Sequence, residues 1–160
     1  MTSIIKNAIQ YTGLSNKEDF CLIKESFNHI FIQEDLIVLY PKPNIKKVIK
    51  VMTDISITDE RVISTAVGTS LEGQVLTGKK IIIEGELVEQ IEYACDDIKQ
   101  SIYTACFKIP FCSYIVVPNN VTQNSVIEIR AYIEDIFIQK IDERKLFLNG
   151  ILLLEAVVKE

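Results

Sequence analysis

Three glutamates on one segment of the chain are the side chains best placed to act as paired catalytic carboxylates. Glu84, Glu86 and Glu92 occupy even positions of a segment whose odd positions are mostly apolar. In an extended strand, alternate residues lie about 7 Å apart on one face, a separation at which two carboxyl groups can hydrolyse glycosides. The solvent-facing side of a strand requires the same pattern, and this second interpretation predicts a polar surface without catalysis.

Nucleophilic catalysis would have to use the single histidine, His29, together with a cysteine. The cysteine spacings match no zinc-binding or redox CxxC pattern, and His29 is far in sequence from three of the four cysteines. We therefore expect no catalytic residue, no metal site, no cofactor and no enzymatic activity. The four thiols, Cys21, Cys95, Cys106 and Cys112, are either reduced and buried or form disulfides in an oxidising assembly.

The composition favours a sheet protein of one domain. The 160 residues include 27 isoleucines and 13 valines, and β-branched side chains fit a pleated surface better than a helix. The net charge is −5 and the basic residues are scattered, whereas nucleic-acid binding needs a basic surface. The sequence has no apolar run of membrane-spanning length and no signal-peptide pattern. We expect a protein made in the cytosol that neither binds nucleic acid nor inserts into a membrane.

Apolar alternation predicts an all-β fold of six to eight mainly antiparallel strands, arranged as a β-sandwich or a partly open barrel. The clearest strands are residues 81–95 and 102–117, where apolar side chains keep odd positions. Residues 145–158 are apolar on both faces. This last strand is therefore either central between two layers or half of an interface.

Turn residues and a break in the alternation predict where the strands end or bend. Turn residues at 59–60 and at 77–79 predict that the chain reverses there. The apolar phase slips by one residue at 134–135, which predicts a β-bulge or a bend.

Two short helical segments are also predicted. Apolar residues at helical spacing predict one short helix over residues 43–52. Ser15 or Asn16 can cap a shorter helical segment near the N-terminus. We expect residues 1–26 to be a lead segment or arm and residues 27–160 to form a single β domain.

One strand carries apolar residues on the side opposite the core. Ile102, Tyr114 and Val116 share the even positions of residues 102–117 with two cysteines. A strand that is apolar on both sides must be covered by a second sheet or by another subunit. These three residues are therefore the predicted interaction face.

An ordered set of short motifs runs through the chain from about residue 27 to residue 156. The pieces are Lys42-Pro43, Leu76-Thr77-Gly78-Lys79-Lys80, Glu84-Gly85-Glu86-Leu87, Pro110-Phe111 and Tyr132-Ile133-Glu134-Asp135. The longest segments that contain these motifs are SLEGQVLTGKKIIIEGELVEQIEY and QSIYTACFKIPFCSYIVVP. This set resembles the SPOCS domain of spore-forming bacteria, which is found in proteins of the spore coat and its morphogenetic machinery.

The resemblance implies a non-enzymatic, β-rich module that builds or anchors spore layers, and it supplies no catalytic residues. Some relatives carry a glycan-binding LysM domain, for which the sequence after Glu160 has no room, so we expect a single-domain, self-assembling role. Cys106 and Cys112 stand where relatives often have other residues, which makes covalent cross-linking a hypothesis.

Two functions follow as expectations. The first is a structural protein of the spore coat or exosporium, made in the mother-cell cytosol and deposited on the spore surface. It would associate with copies of itself or with other coat proteins through strand edges and apolar patches. The alternative is a binding module for a cell-wall glycan or a spore morphogenetic protein, presenting exposed tyrosines. The candidates are Tyr93, Tyr103, Tyr114 and Tyr132.

Overall fold

The computed structural model describes residues 2–20 and 26–159. Within these ranges the chain forms eight strands and one helical turn, which confirms the predicted all-β class. The elements are β1 (Thr2–Lys6), β2 (Ile9–Leu14), α1 (Lys17–Phe20), β3 (Ser26–Ile37), β4 (Ile45–Thr69), β5 (Val75–Cys95), β6 (Ile102–Val116), β7 (Val126–Lys140) and β8 (Lys145–Lys159). With only four residues in its one helical turn, the described part of the chain has no helix that could span a membrane.

The strands form two sheets that pack face to face. The large sheet has the order β1-β2-β4-β5-β6, and the small sheet has the order β3-β8-β7. Every pairing is antiparallel except that of β2 with β4, which is parallel over three residue pairs. The main core contains apolar side chains from both sheets, and no ladder joins the sheets within the described ranges. The predicted sandwich is therefore confirmed.

The predicted alternation holds along the longest strands. In β5 the odd residues, such as Ile83, Leu87 and Ile91, are buried, and the even residues are turned outward. The odd side chains of β6 also face the core. Strand β8 is the central strand of the small sheet.

The helix predicted over residues 43–52 is wrong, because residues 45–52 form the first part of β4. Ile45, Val48 and Val51 are all buried, and their spacing of three imitates a helix. The register with β5 shifts just after Ile45 and again just after Val48. Each β-bulge adds one residue to the strand, so residues three apart still face the core.

The two predicted turns are also wrong. Residues 59–60 lie inside β4, where a bulge after Ile57 keeps the strand continuous. Residues 77–79 lie inside β5, and Gly78 has a φ of 93° opposite a bulge of β4. A positive φ suits a bulge as well as a turn, so local sequence does not separate the two.

The N-terminal segment belongs to the large sheet. Residues 2–14, predicted to be part of a lead segment, form the β1–β2 hairpin. A single helical turn follows Ser15 and Asn16, as predicted. Ser15 fastens this segment to the other sheet, because its backbone N–H donates to the Ile133 carbonyl oxygen at 2.9 Å and its Oγ accepts from the Ile133 N–H at 3.0 Å.

Candidate functional site

The small sheet has an outer face that carries large apolar side chains. The odd residues of β3 point away from the core, and the exposed fractions of Phe27 and Phe31 are 48% and 62%. The ring of His29 lies between them and meets Phe27 edge-on at 6.0 Å. Singly exposed apolar residues are common, but neighbouring ones form a patch that marks an interaction surface.

The other two strands of the small sheet extend this patch. His29 is aligned with Leu153 of β8, which is aligned with Tyr132 of β7. Phe31 is aligned in the same way with Ile151. We call this surface the aromatic face; its residues are Phe27, His29, Phe31, Tyr132, Phe137, Phe147 and Ile151, together with Leu153, whose side chain is buried. It uses the outer side of the strand that the sequence predicts to be apolar on both faces.

A β-bulge places an acid on the aromatic face. The register of β7 with β8 shifts between Ile133 and Asp135, which confirms the predicted bulge. The extra residue, Glu134, brings Oε1 to 2.8 Å from Nε2 of His29. Sequence alone predicted the bulge but not the acid–imidazole contact it creates, because the contact joins residues more than one hundred positions apart.

Charged and polar groups border the aromatic face at one end. The Tyr132 hydroxyl lies 3.3 Å from Oε2 of the buried Glu155, and burial followed by the nearby Glu155 charge raises the pKa of Tyr132. Glu128 accepts from Lys159 at 2.7 Å and from Arg130 at 3.1 Å, and these hydrogen bonds lower the pKa of Glu128. An apolar centre with a polar rim is typical of protein interfaces.

The predicted interaction face lies on the large sheet, and only part of it comes together. Tyr114 and Val116 are close neighbours on the outer side of β6, and Lys80 lies over the Tyr114 ring at 4.5 Å. Ile102 is exposed on the same side but twelve residues away, or about 40 Å along the strand. The three residues are therefore not one compact patch.

The open edge of β6 is protected against strand addition. Its odd residues bond toward β5, as the bond from the Val117 N–H to the Lys79 carbonyl shows. The outward carbonyls of Thr104 and Tyr114 accept from Lys42 at 2.8 Å and Asn28 at 2.9 Å. Pro110 sits at an outward position, where it offers no donor. These are the features that disfavour edge pairing.

The described cysteines fall into two environments. Cys95 is buried, and burial raises the pKa of its thiol. Cys106 and Cys112 are free and exposed on the outer side of β6. They are six residues, or about 20 Å, apart on one strand, so they cannot bond to each other. Cys21 lies outside the described residues.

The other predicted chemical groups are dispersed. Glu84 and Glu86 lie on the outer side of β5, and Glu84 is 3.3 Å from Arg61. His29 is on the small sheet, whereas the exposed cysteines are on the large sheet. The described groups include no cluster of three or more histidine, cysteine or acidic side chains that could hold a metal.

The predicted set of exposed tyrosines does not form one groove. Tyr93 is fully buried, and its hydroxyl donates to the Pro43 carbonyl oxygen at 2.8 Å. Its ring lies 6.3 Å from that of Tyr103. Tyr114 is on the outer side of the large sheet and Tyr132 is on the small sheet.

The β4–β5 hairpin extends past the end of β6. Strand β6 ends opposite Lys80, so no third described strand supports residues 65–77. We call residues 65–77 the arm; they are distinct from the N-terminal lead segment. Val67, Leu71 and Val75 are exposed in the arm, and Leu71 at its tip is fully exposed. Its only charged residue is Glu72.

Glu89 is a buried acid that the sequence pattern was not used to identify. Glu89 occupies an odd, core-facing position of β5 between Leu87 and Ile91, and its exposed fraction is 0%. Its Oε2 accepts from the Thr53 hydroxyl at 2.8 Å, and its Oε1 has no hydrogen-bond partner among the described residues. Burial raises the pKa of Glu89 to about 8, and the Thr53 hydrogen bond partly opposes this shift. An acid at an apolar position of the alternation is the signal that identifies it.

Comparison with known families gives one match. The model described as "SipL, SPOCS domain" matches residues 44–141, which is more than half of the chain. This chain belongs to the SPOCS domain family. Membership links the protein to sporulation and confirms the resemblance drawn from its motifs. Comparisons with curated proteins and with solved structures found no match.

The matched range divides the aromatic face. It includes all of β4, β5, β6 and β7 of this SPOCS domain protein, and it excludes β3 and β8. The aromatic face therefore combines one strand from the matched range with two strands outside it.

Proposed function

We propose that this protein is a non-enzymatic structural component of the bacterial spore coat or exosporium that associates with copies of itself through the aromatic face. Family membership supports the link to sporulation. The exposure of Phe27 and Phe31 on the outer face of β3, beside the central strand β8, is the observation that carries the assembly role. Burying large aromatic side chains is the usual source of binding energy at an interface centre.

The experiment compares the association of the purified protein with that of the Phe27→Ser/Phe31→Ser double variant by sedimentation equilibrium. We expect the wild type to associate and the double variant to associate at least about tenfold more weakly. Ile98→Ser is the matched control, because Ile98 is fully exposed in the β5–β6 turn. A wild type that stays monomeric at high concentration, with and without reductant, would contradict self-association.

Other coat proteins are the second class of partner in this proposal. The two exposed thiols, Cys106 and Cys112, would lock such a layer by exchange with a small-molecule disulfide, which is reduced to two thiols for each bond formed. Non-reducing mass spectrometry of protein from mature spores tests this step. Interchain adducts at either cysteine support it, and wholly free thiols contradict it.

The location proposed for the protein is the spore surface, after synthesis in the mother-cell cytosol. A fluorescent fusion imaged during sporulation tests this, and signal confined to the forespore interior would contradict it. The proposal includes no role in nucleic-acid binding or membrane insertion, in keeping with the net charge of −5.

A glycan-binding function is the second candidate. It is supported by the hydrogen-bonding groups beside the rings of the aromatic face, including Gln33 and Asn149, whose side chains are joined at 3.1 Å. Aromatic rings beside amides form surfaces that are apolar and hydrogen-bonding at once. Co-sedimentation with purified cell-wall material separates this function from self-association, because binding by a monomeric wild type would favour the glycan.

A further inference from the structure

The core beside strand β4 contains an acid for which the described residues offer no countercharge. Glu89 is completely buried, accepts one hydrogen bond from Thr53 and leaves Oε1 unpaired. An ionised carboxylate in such a site loses its hydration without an ion pair in exchange. The charged form of Glu89 is therefore costly unless water reaches it.

Strand β2 packs against the residue that holds Glu89, because Gly13 of β2 leaves no space for a Cβ beside the Thr53 carbonyl oxygen. Tyr11 is fully buried, and burial followed by the charges of Asp135 and Glu89 raises its pKa. The Tyr11 hydroxyl accepts from the Ile138 N–H at 3.0 Å and donates to the Ile138 carbonyl oxygen at 3.4 Å. Tyr11 thus fastens β2 to β7, and it lies near enough to Glu89 for the Glu89 charge to act on its pKa.

The hairpin that carries Tyr11 has only a short ladder to the rest of its sheet. Strand β2 pairs with β4 over three residue pairs only, whereas β4 and β5 pair along nearly their whole length. On β1, Lys6 lies 2.5 Å from Asp135 and 2.9 Å from the Ile136 carbonyl oxygen. The contacts that have to break before water reaches Glu89 from this side are therefore the short β2–β4 ladder, the Tyr11 and Lys6 bonds to β7, and the two bonds between Ser15 and Ile133.

We propose that the β1–β2 hairpin is a pH-operated latch, which is closed over the core while Glu89 carries a proton and lifts from β7 when Glu89 ionises. The charged groups on this side are Lys6 of β1 and Asp135 of β7, which pair with each other. Strand β4 offers the Thr53 hydroxyl, and β6 aligns Phe107 with Glu89. Neither strand supplies a countercharge, and this inference does not depend on the proposed function.

The direction of the switch follows from proton linkage. The pKa of Glu89 is about 8 in the closed state and 4.5 without burial, so the closed state binds its proton more tightly. The closed state is fully favoured below about pH 4.5 and loses this advantage as the pH rises to about 8. Between these limits an opening that hydrates Glu89 becomes up to roughly tenfold more populated per pH unit.

Hydrogen–deuterium exchange of the full chain between pH 6 and pH 9 tests the latch, after correction for the intrinsic pH dependence of exchange. We expect the opening of peptides from residues 2–14 to increase up to roughly tenfold per pH unit up to about pH 8. In Glu89→Gln this increase is expected to disappear. Glu92→Gln is the matched control, because Glu92 lies on the outer side of the same strand, and it should keep the wild-type response.

Two outcomes would overturn the proposal. One is an opening of residues 2–14 that does not change with pH in the wild type or changes equally in Glu89→Gln. The other is an equal increase in peptides from β8, which would mean global unfolding instead of a lifted hairpin. If Glu89→Gln does not fold, Glu89→Leu replaces it, and the peptide-resolved wild-type measurement still decides between a latch and global opening.

Discussion

At the scale of single residues, Glu89 makes the stability of the whole protein depend on pH. Its raised pKa of about 8, against 4.5 without burial, means that the folded state binds a proton that the unfolded state releases. The contribution of Glu89 to stability is therefore fully present below about pH 4.5 and is lost as the pH rises through about 8, with a loss of roughly 3 kcal/mol already at pH 7.

Glu89→Gln is expected to remove this part of the pH dependence while keeping the size of the side chain. Urea denaturation at several pH values measures it: the wild-type and variant free energies of unfolding should diverge toward alkaline pH, with the variant more stable. Parallel curves for the two proteins between pH 5 and pH 9 would show that Glu89 does not titrate in this range.

A second residue, Gly13, has no space for a side chain. It has a φ of 105°, and a Cβ at this position would lie 2.1 Å from the Thr53 carbonyl oxygen. Gly13→Ala is expected to cost more than about 3 kcal/mol, because backbone strain and a steric clash add. Gly73→Ala is the control: φ is 86° but nothing lies within 4 Å, so strain alone should cost about 1 kcal/mol. Equal losses in thermal denaturation would contradict the close approach of β2 to β4.

At the scale of elements, the arm makes few contacts with the rest of the protein. Replacing residues 68–76 by Asn-Gly keeps Val67 opposite Thr77 and closes a two-residue hairpin. Because Leu71 and its neighbours are exposed, we expect the free energy of unfolding to change by less than about 1 kcal/mol. A clearly larger loss in chemical denaturation of the monomer would mean that the arm supports the core.

The elements also show what the sequence could and could not predict. The alternation of β5 and the bulge at residues 134–135 were predictable, because burial on one face is a local pattern. The first part of β4 was not, since its two bulges give Ile45, Val48 and Val51 a helical spacing. Only part of the aromatic face was predictable. The sequence of β8 shows that both of its faces are apolar, but the alignment of β8 with Phe27 and Phe31 depends on the order of strands in the sheet, which no local pattern contains.

At the scale of the whole molecule, side chains connect the two sheets, which share no backbone ladder in residues 2–20 and 26–159. Tyr11 makes one such connection, because its hydroxyl forms hydrogen bonds with both the N–H and the carbonyl oxygen of Ile138. Tyr11→Phe leaves these buried groups unpaired and is expected to cost about 1–3 kcal/mol. Tyr40→Phe is the control, since Tyr40 is largely exposed and its ring remains over Arg144. If thermal denaturation shows the same small change for both variants, Tyr11 does not hold the sheets together.

The continuity of β4 and β5 from the core into the arm has a mechanical consequence. Hydrogen bonds in an antiparallel pair run perpendicular to the strands. A force applied at the tip of the arm, parallel to strands β4 and β5, would therefore act in shear on the ladders that join these strands to their neighbours. Many hydrogen bonds would have to break at the same time. Tension applied across the ribbon would break the same bonds one after another, so the molecule is expected to resist pulling far better along this axis than across it.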